Sequence, residues 1–144
     1  MGGGGLVETR DGIERARALF ANGEEFLPSM ARAENGDPRD TCYKIAIAAE
    51  LGLKAYLSSQ GWSDDRCRRD IRHDLENGLA RAREAGLDGA SDELAAVLAV
   101  LNVYYPHHAF DRFDGDPAFA SKAHTAVAGL FDAVRSYVEA SGGR

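Results

Sequence analysis

The chain has 144 residues, 44% of them apolar and 28% charged, close to ordinary globular usage, which excludes a disordered or membrane-embedded polymer. Seventeen Lys and Arg against 23 Asp and Glu give a net charge of -6, so binding nucleic acid through bulk positive charge is disfavoured and only a local basic patch remains open. The length suits one domain with a buried core at the usual ~100–200 residues.

The N-terminus, with Gly2 to Gly5, carries neither a basic stretch nor a long apolar run. It reads as a flexible tail over residues 1–10, ahead of a single domain over 11–144, and not as a signal peptide. Ile13, Ala16, Phe20, Gly23, Leu27 and Met30 then recur at steps of three and four, predicting a first helix from about Asp11 to Ala33 that Pro28 kinks or splits. Asn35-Gly36-Asp37-Pro38 is a breaker cluster, after which Asp40 or Thr41 can cap.

From Arg39 to Ser59 the chain is at its most apolar. Cys42, Ile45, Ala46, Ala49, Leu53, Tyr56 and Leu57 fill one face and Ile47 and Leu51 widen it, the pattern of a helix in the middle of a bundle. Glu50 and Lys54 stand at i, i+4 and predict an exposed ion pair of about 0.3–0.5 kcal/mol.

A third helix is expected over about Asp65 to Ala85, with Leu75, Leu79 and Ala82 inward and Gly86 as its C-cap. A fourth opens at Ser91-Asp92-Glu93 with Leu94, Val97, Leu98 and Leu101 inward. The stretch Tyr105 to Pro117 interrupts the period. A last helix carries Phe119, Ala123, Val127, Leu130, Val134 and Tyr137/Val138 and ends near Ser141. Period-two alternation is nowhere sustained, so the expected fold is all-α, an antiparallel four- to five-helix bundle.

Cys42 and Cys67 lie 25 positions apart without CxxC spacing, which offers neither a zinc site nor a disulfide framework and makes a reducing cytoplasm the simplest compartment. His107, His108, Asp111, Asp114 and Asp116 crowd one loop but match neither HExxH nor an EF-hand. The expectation is no metal and no cofactor, with Tyr104, Tyr105, Phe110 and Phe113 tucked onto the bundle. The alternative for those aromatics is base stacking, weakened by the lack of interleaved Lys or Arg.

Ala48 to Leu57, followed by a Gly-containing turn and by His73-Asp74-Leu75 opening a run that closes on Ala85-Gly86-Leu87, resembles the HEPN domain (higher eukaryotes and prokaryotes nucleotide-binding). The helix order resembles that family over roughly residues 13–140. The resemblance implies a four- or five-helix bundle that commonly dimerises and acts as a nuclease, a nucleotide binder or the partner of a small nucleotidyltransferase. Nuclease members place Arg, a polar residue and, a few residues on, His on a late helix, since Arg can hold a phosphate while His moves a proton. Arg68 and His73 have the gap, but Arg69 follows Arg68 and both precede the third helix. On a continuous helix they would diverge by about 140°. Arg112, in the late loop, has no His at the right distance.

The leading reading is therefore a non-catalytic binding or interaction module, expected as a homodimer, with a nucleotidyltransferase, a nucleotide or RNA as partner. Its candidate ligand residues are Lys54, Arg69, Arg72 and His73. The alternative is a metal-independent, toxin-type ribonuclease using Arg68 and His73 across a dimer. Each residue also has a structural reading. His73 bonds a backbone group at a helix start beside Asp74, Lys54 pairs with Glu50 or Asp74, and Arg66, Arg68, Arg69 and Arg72 form a solvated face balanced by Asp64, Asp65, Asp70 and Asp74.

Overall fold

The computed structural model describes the backbone of residues 2–142 and the side chains of residues 12–139. Seven α-helices follow in chain order: α1 (Gly2–Phe26), α2 (Met30–Asn35), α3 (Pro38–Ser59), α4 (Asp64–Asp70), α5 (Leu75–Glu84), α6 (Asp92–Tyr104) and α7 (Pro117–Gly142), with 3₁₀ turns at Tyr105–His107 and Phe110–Arg112 before α7. No strand occurs among the described residues. The backbone is helical from Gly2, earlier than the expected start near Asp11, while the side chains of the expected tail lie outside the described residues.

Short polar side chains set most of the starts. Ser29, Asp37, Ser63, Asp74 and Ser91 each accept a hydrogen bond from a first-turn amide of α2, α3, α4, α5 and α6, neutralising donors that a helix cannot satisfy itself. Asp37 with Pro38 at the first position therefore starts α3, ahead of the Asp40 or Thr41 expected to cap it. Pro28 divides the first helical stretch, as its missing amide and fixed φ dictate. Gly86, at φ 111°, ends the α5 run while Leu87 N–H bonds the Ala82 carbonyl at 3.0 Å.

The core is built around α3, which packs chiefly on α1, α7 and α5. The inward sets expected for α3, α5 and α6 are buried. In α7, Ala123, Val127, Leu130, Val134 and Val138 are buried, with Phe119 and Tyr137 partly so. On the first stretch Ala16 and Phe20 are buried, but Met30 is exposed because the break at Pro28 turns α2 away from the line of α1. The aromatic residues after α6 do tuck inward, with Tyr105, Phe110 and Phe113 all buried. Arg39 Nε donates to the Phe113 carbonyl at 3.0 Å and ties that segment to the start of α3.

α1, α3 and α7 approach one another closely around Phe131. Its ring lies edge-on to Phe20 at 5.2 Å and covers two glycines on neighbouring helices. A Cβ at Gly23 would stand 2.6 Å from Phe131 Cζ, and one at Gly52 3.2 Å from the same atom. Gly23→Ala gains helix propensity of about 1 kcal/mol but overpacks an aromatic ring that has little room to retreat, a penalty of about 1–3 kcal/mol. A net loss of stability in urea denaturation is expected, shrinking in the Phe131→Leu background. An equal loss in both backgrounds would refute the clash.

Candidate functional site

Glu50 lies on α3 in a place where a carboxylate is costly, its side chain only 11% exposed, and the burial is offset by three donors from three parts of the chain. Lys54 Nζ, one turn on, donates to Oε2 at 2.8 Å. His73, from the turn between α4 and α5, places Nδ1 2.7 Å from Oε1. The Tyr105 hydroxyl, at the end of α6, donates to Oε1 at 2.9 Å. Burial, and then the Glu50 charge and hydrogen bond, push the Tyr105 phenol well above the usual tyrosine range.

Two sequence expectations change here. The Glu50–Lys54 pair forms but is largely buried, with Lys54 16% exposed, because α3 sits inside the bundle. His73 does not bond a backbone group; it reaches 23 residues back to Glu50. A carboxylate only accepts, so Nδ1 carries the proton that bonds Glu50. Among the described residues Nε2 has no partner, and the side chain is 55% exposed.

The predicted third helix is two helices. Asp74 caps α5 through Asn77 N–H at 3.0 Å, and Asn77 Nδ2 donates to the Asp70 carbonyl at 2.6 Å. Asn102 on α6 accepts from Leu75 N–H at 2.8 Å and donates to Asp74 Oδ1 at 3.0 Å and Glu76 Oε1 at 3.1 Å. Held from both sides, the turn puts Arg72 at φ 54°, a left-handed conformation costing a non-glycine residue roughly 1–2 kcal/mol. Arg68 and His73 therefore do not diverge as they would on one helix. Both line an open groove of about 770 Å³ together with Lys54, Asp65, Arg69 and Arg72.

The groove's cations are not equivalent. Arg68 pairs with Asp64, and Arg69 with Asp70 at 3.1 Å, while Arg66 reaches Asp70 at 3.6 Å. Arg69, and behind it Arg66, hold the Asp70 carboxyl below the usual range. Exposed pairs of this kind contribute about 0–1 kcal/mol and exchange readily for another anion. Arg72 is exposed and has no acid partner among the described residues. No group of three or more metal-ligating side chains converges among the described residues, the His107 to Asp116 loop included. Cys42 is buried and its thiol pushed up to about 12 by burial, leaving an inert apolar side chain.

The class of protein is a small helical bundle in which an interior carboxylate holds a lysine and a histidine at the edge of an arginine-lined groove. The HEPN domain family matches residues 16–137, and the chain belongs to that family. Neither a curated protein nor a solved structure gives a significant match. No helix among the described residues is long and apolar enough to cross a membrane.

The neutral Tyr105 phenol favours the folded state. Because the native pKa is raised, this stabilisation is complete below the ordinary tyrosine pKa of about 10 and is lost as pH rises from there toward the native value. Unfolding free energy is expected to fall above pH about 10, and to fall less in Tyr105→Phe, which also loses about 1.5–3 kcal/mol at neutral pH as a bond to a charged acceptor disappears. Identical pH profiles for the two proteins would refute the role of this phenol.

Proposed function

We propose that the chain is a binding module without catalysis of its own, whose groove takes the phosphate of a nucleotide or RNA on Lys54, Arg69, Arg72 and His73, with Arg68 at its edge. Arg72 carries this reading. It is a cation without a counter-ion among the described residues, held in a strained left-handed turn just after a run of exposed ion pairs, and it lines the same groove. Local backbone strain persists only where the surroundings impose it and is characteristic of ligand clamps. A guanidinium offers a phosphate paired donors, and Lys54 adds a point charge whose position Glu50 fixes. Family membership supports the ligand class.

Arg72→Gly separates binding from folding. Glycine adopts φ 54° without strain, so the thermal midpoint should stay level or rise. Binding of labelled RNA or ATP, read by fluorescence anisotropy, should weaken about 10- to 150-fold for a charge-assisted contact of about 1.5–3 kcal/mol. Unchanged affinity would sink the groove reading.

A second reading, a metal-independent toxin-type ribonuclease, is favoured by one observation: Glu50 holds His73 through Nδ1, Nε2 has no partner among the described residues, and His73 lines the same groove as Arg68, as a positioned proton-transfer group requires. RNA cleavage that is lost in both His73→Ala and Arg68→Ala would establish it, and cleavage unaffected by either would end it.

The proposal includes a homodimer and, as an outside partner, a small nucleotidyltransferase. Exposed apolar residues support association. They are Val100 and Val103 on α6, 39% and 62% exposed, Phe26 on α1, Met30 on α2 and Tyr43 on α3, while α7 exposes no large apolar side chain among the described residues.

A further inference from the structure

The face of α3 that carries Glu50 and Lys54 continues toward its N-terminus through Ile47 to Tyr43, at steps of four, three and four residues. Tyr43 is 38% exposed. Its ring meets Phe110 edge-on at 5.7 Å and lies 6.2 Å from Tyr105, whose ring is in turn 5.8 Å from His73. An unbroken aromatic bridge therefore joins the cationic groove to a second cavity of about 370 Å³, lined by Tyr43, Phe110, His108 and Asp111.

We propose that this cavity is a nucleobase subsite, with Tyr43 as the stacking surface and Phe110 as its wall, so that the ligand is a single nucleic-acid strand spanning both cavities and not a free mononucleotide. The inference rests on the phosphate-groove reading. Three observations carry it. The two cavities differ in charge: Lys54, Arg68, Arg69 and Arg72 outnumber Asp65 in one, whereas in the other the Asp111 carboxylate, beside His108, opposes a phosphate and can accept from the exocyclic amine of a neutral ring. The shelf is flat, aromatic and braced by a neighbouring ring, which is how sequence-tolerant single-strand binders hold bases. Eleven residues of helix separate Tyr43 from Lys54, about 16 Å at 1.5 Å per residue, which exceeds the reach from a base to its own 5′-phosphate within a nucleoside monophosphate.

The test is anisotropy with labelled single-stranded RNA of one to eight nucleotides, using the wild-type chain, Tyr43→Ala, Tyr43→Phe and Arg72→Gly, with circular dichroism confirming the fold of each. Affinity should rise as the strand lengthens beyond one nucleotide. Tyr43→Ala should weaken the octanucleotide about 5- to 150-fold, the equivalent of one stacked base. Tyr43→Phe should restore it, and a fully abasic strand should bind wild type and Tyr43→Ala alike. If Arg72→Gly weakens binding and Tyr43→Ala does not, or if the mononucleotide binds as tightly as the octamer, the base subsite is overturned and the groove stands. If no RNA binds while ATP does, the base subsite falls and the groove stands; if neither substitution changes affinity, or neither RNA nor ATP binds, both fall.

Discussion

The Glu50 carboxylate is the constraint on which the groove depends. An ionised group with so little exposure is tolerable only when its lone pairs are filled, and the fold fills them with Lys54, His73 and Tyr105. Each donor comes from a different place: the next turn of α3, the α4–α5 turn and the end of α6. One acid thereby fixes the relative position of three segments. Removing it would strand a poorly solvated ammonium and release the histidine together, so the cost of such a change is not the worth of any single bond.

The carboxylate can occupy that position because α3 is central, and α3 is central because its side chains are small. Cys42, Ala46, Ala48, Ala49, Gly52 and Ala55 are buried on several sides of the helix, allowing α1, α5 and α7 to close around it, with the Phe131 ring filling the space over Gly23 and Gly52. A second polar bracket works from outside. Asn102 on α6 holds the start of α5 through Leu75, Asp74 and Glu76, and this keeps His73 over Glu50 while the backbone at Arg72 remains left-handed. Packing and polar clamps thus act on the same turn from opposite sides.

The parts of this arrangement legible in the sequence are those with local causes. Recurrence of apolar residues at three and four located the core of α3, α5, α6 and most of α7, and i, i+4 spacing located the Glu50–Lys54 pair. The break after Asp70 was only half legible: His73-Asp74 reads as a helix start, but Arg66 to Arg72 contains no glycine or proline to end the segment before it, and the interruption is fixed by Asn77, Asp74 and Asn102, the last reaching across from another helix. The partner of His73 was hidden for the same reason. Tyr105 was legible as a packed aromatic but not as a donor. A signal existed: a glutamate on an otherwise buried helix with one lysine beside it still lacks partners for its remaining lone pairs, and a tyrosine ending an apolar helix is a natural source.

The charge balance of the whole chain points the same way as the groove's geometry. At a net charge of -6 the protein's overall field repels a phosphate, so long-range steering contributes little and an anion must be captured at short range. Around the groove Asp64 and Asp70 offset Arg68, Arg69 and Arg66, and Glu50 offsets Lys54. Local positive potential is therefore concentrated at Arg72 and does not spread along α4. On the proposed reading such a site would discriminate by fit: a ligand that does not bring a phosphate to Arg72 would meet a nearly neutral surface, and one that does would exchange weak exposed ion pairs for a better-placed anion.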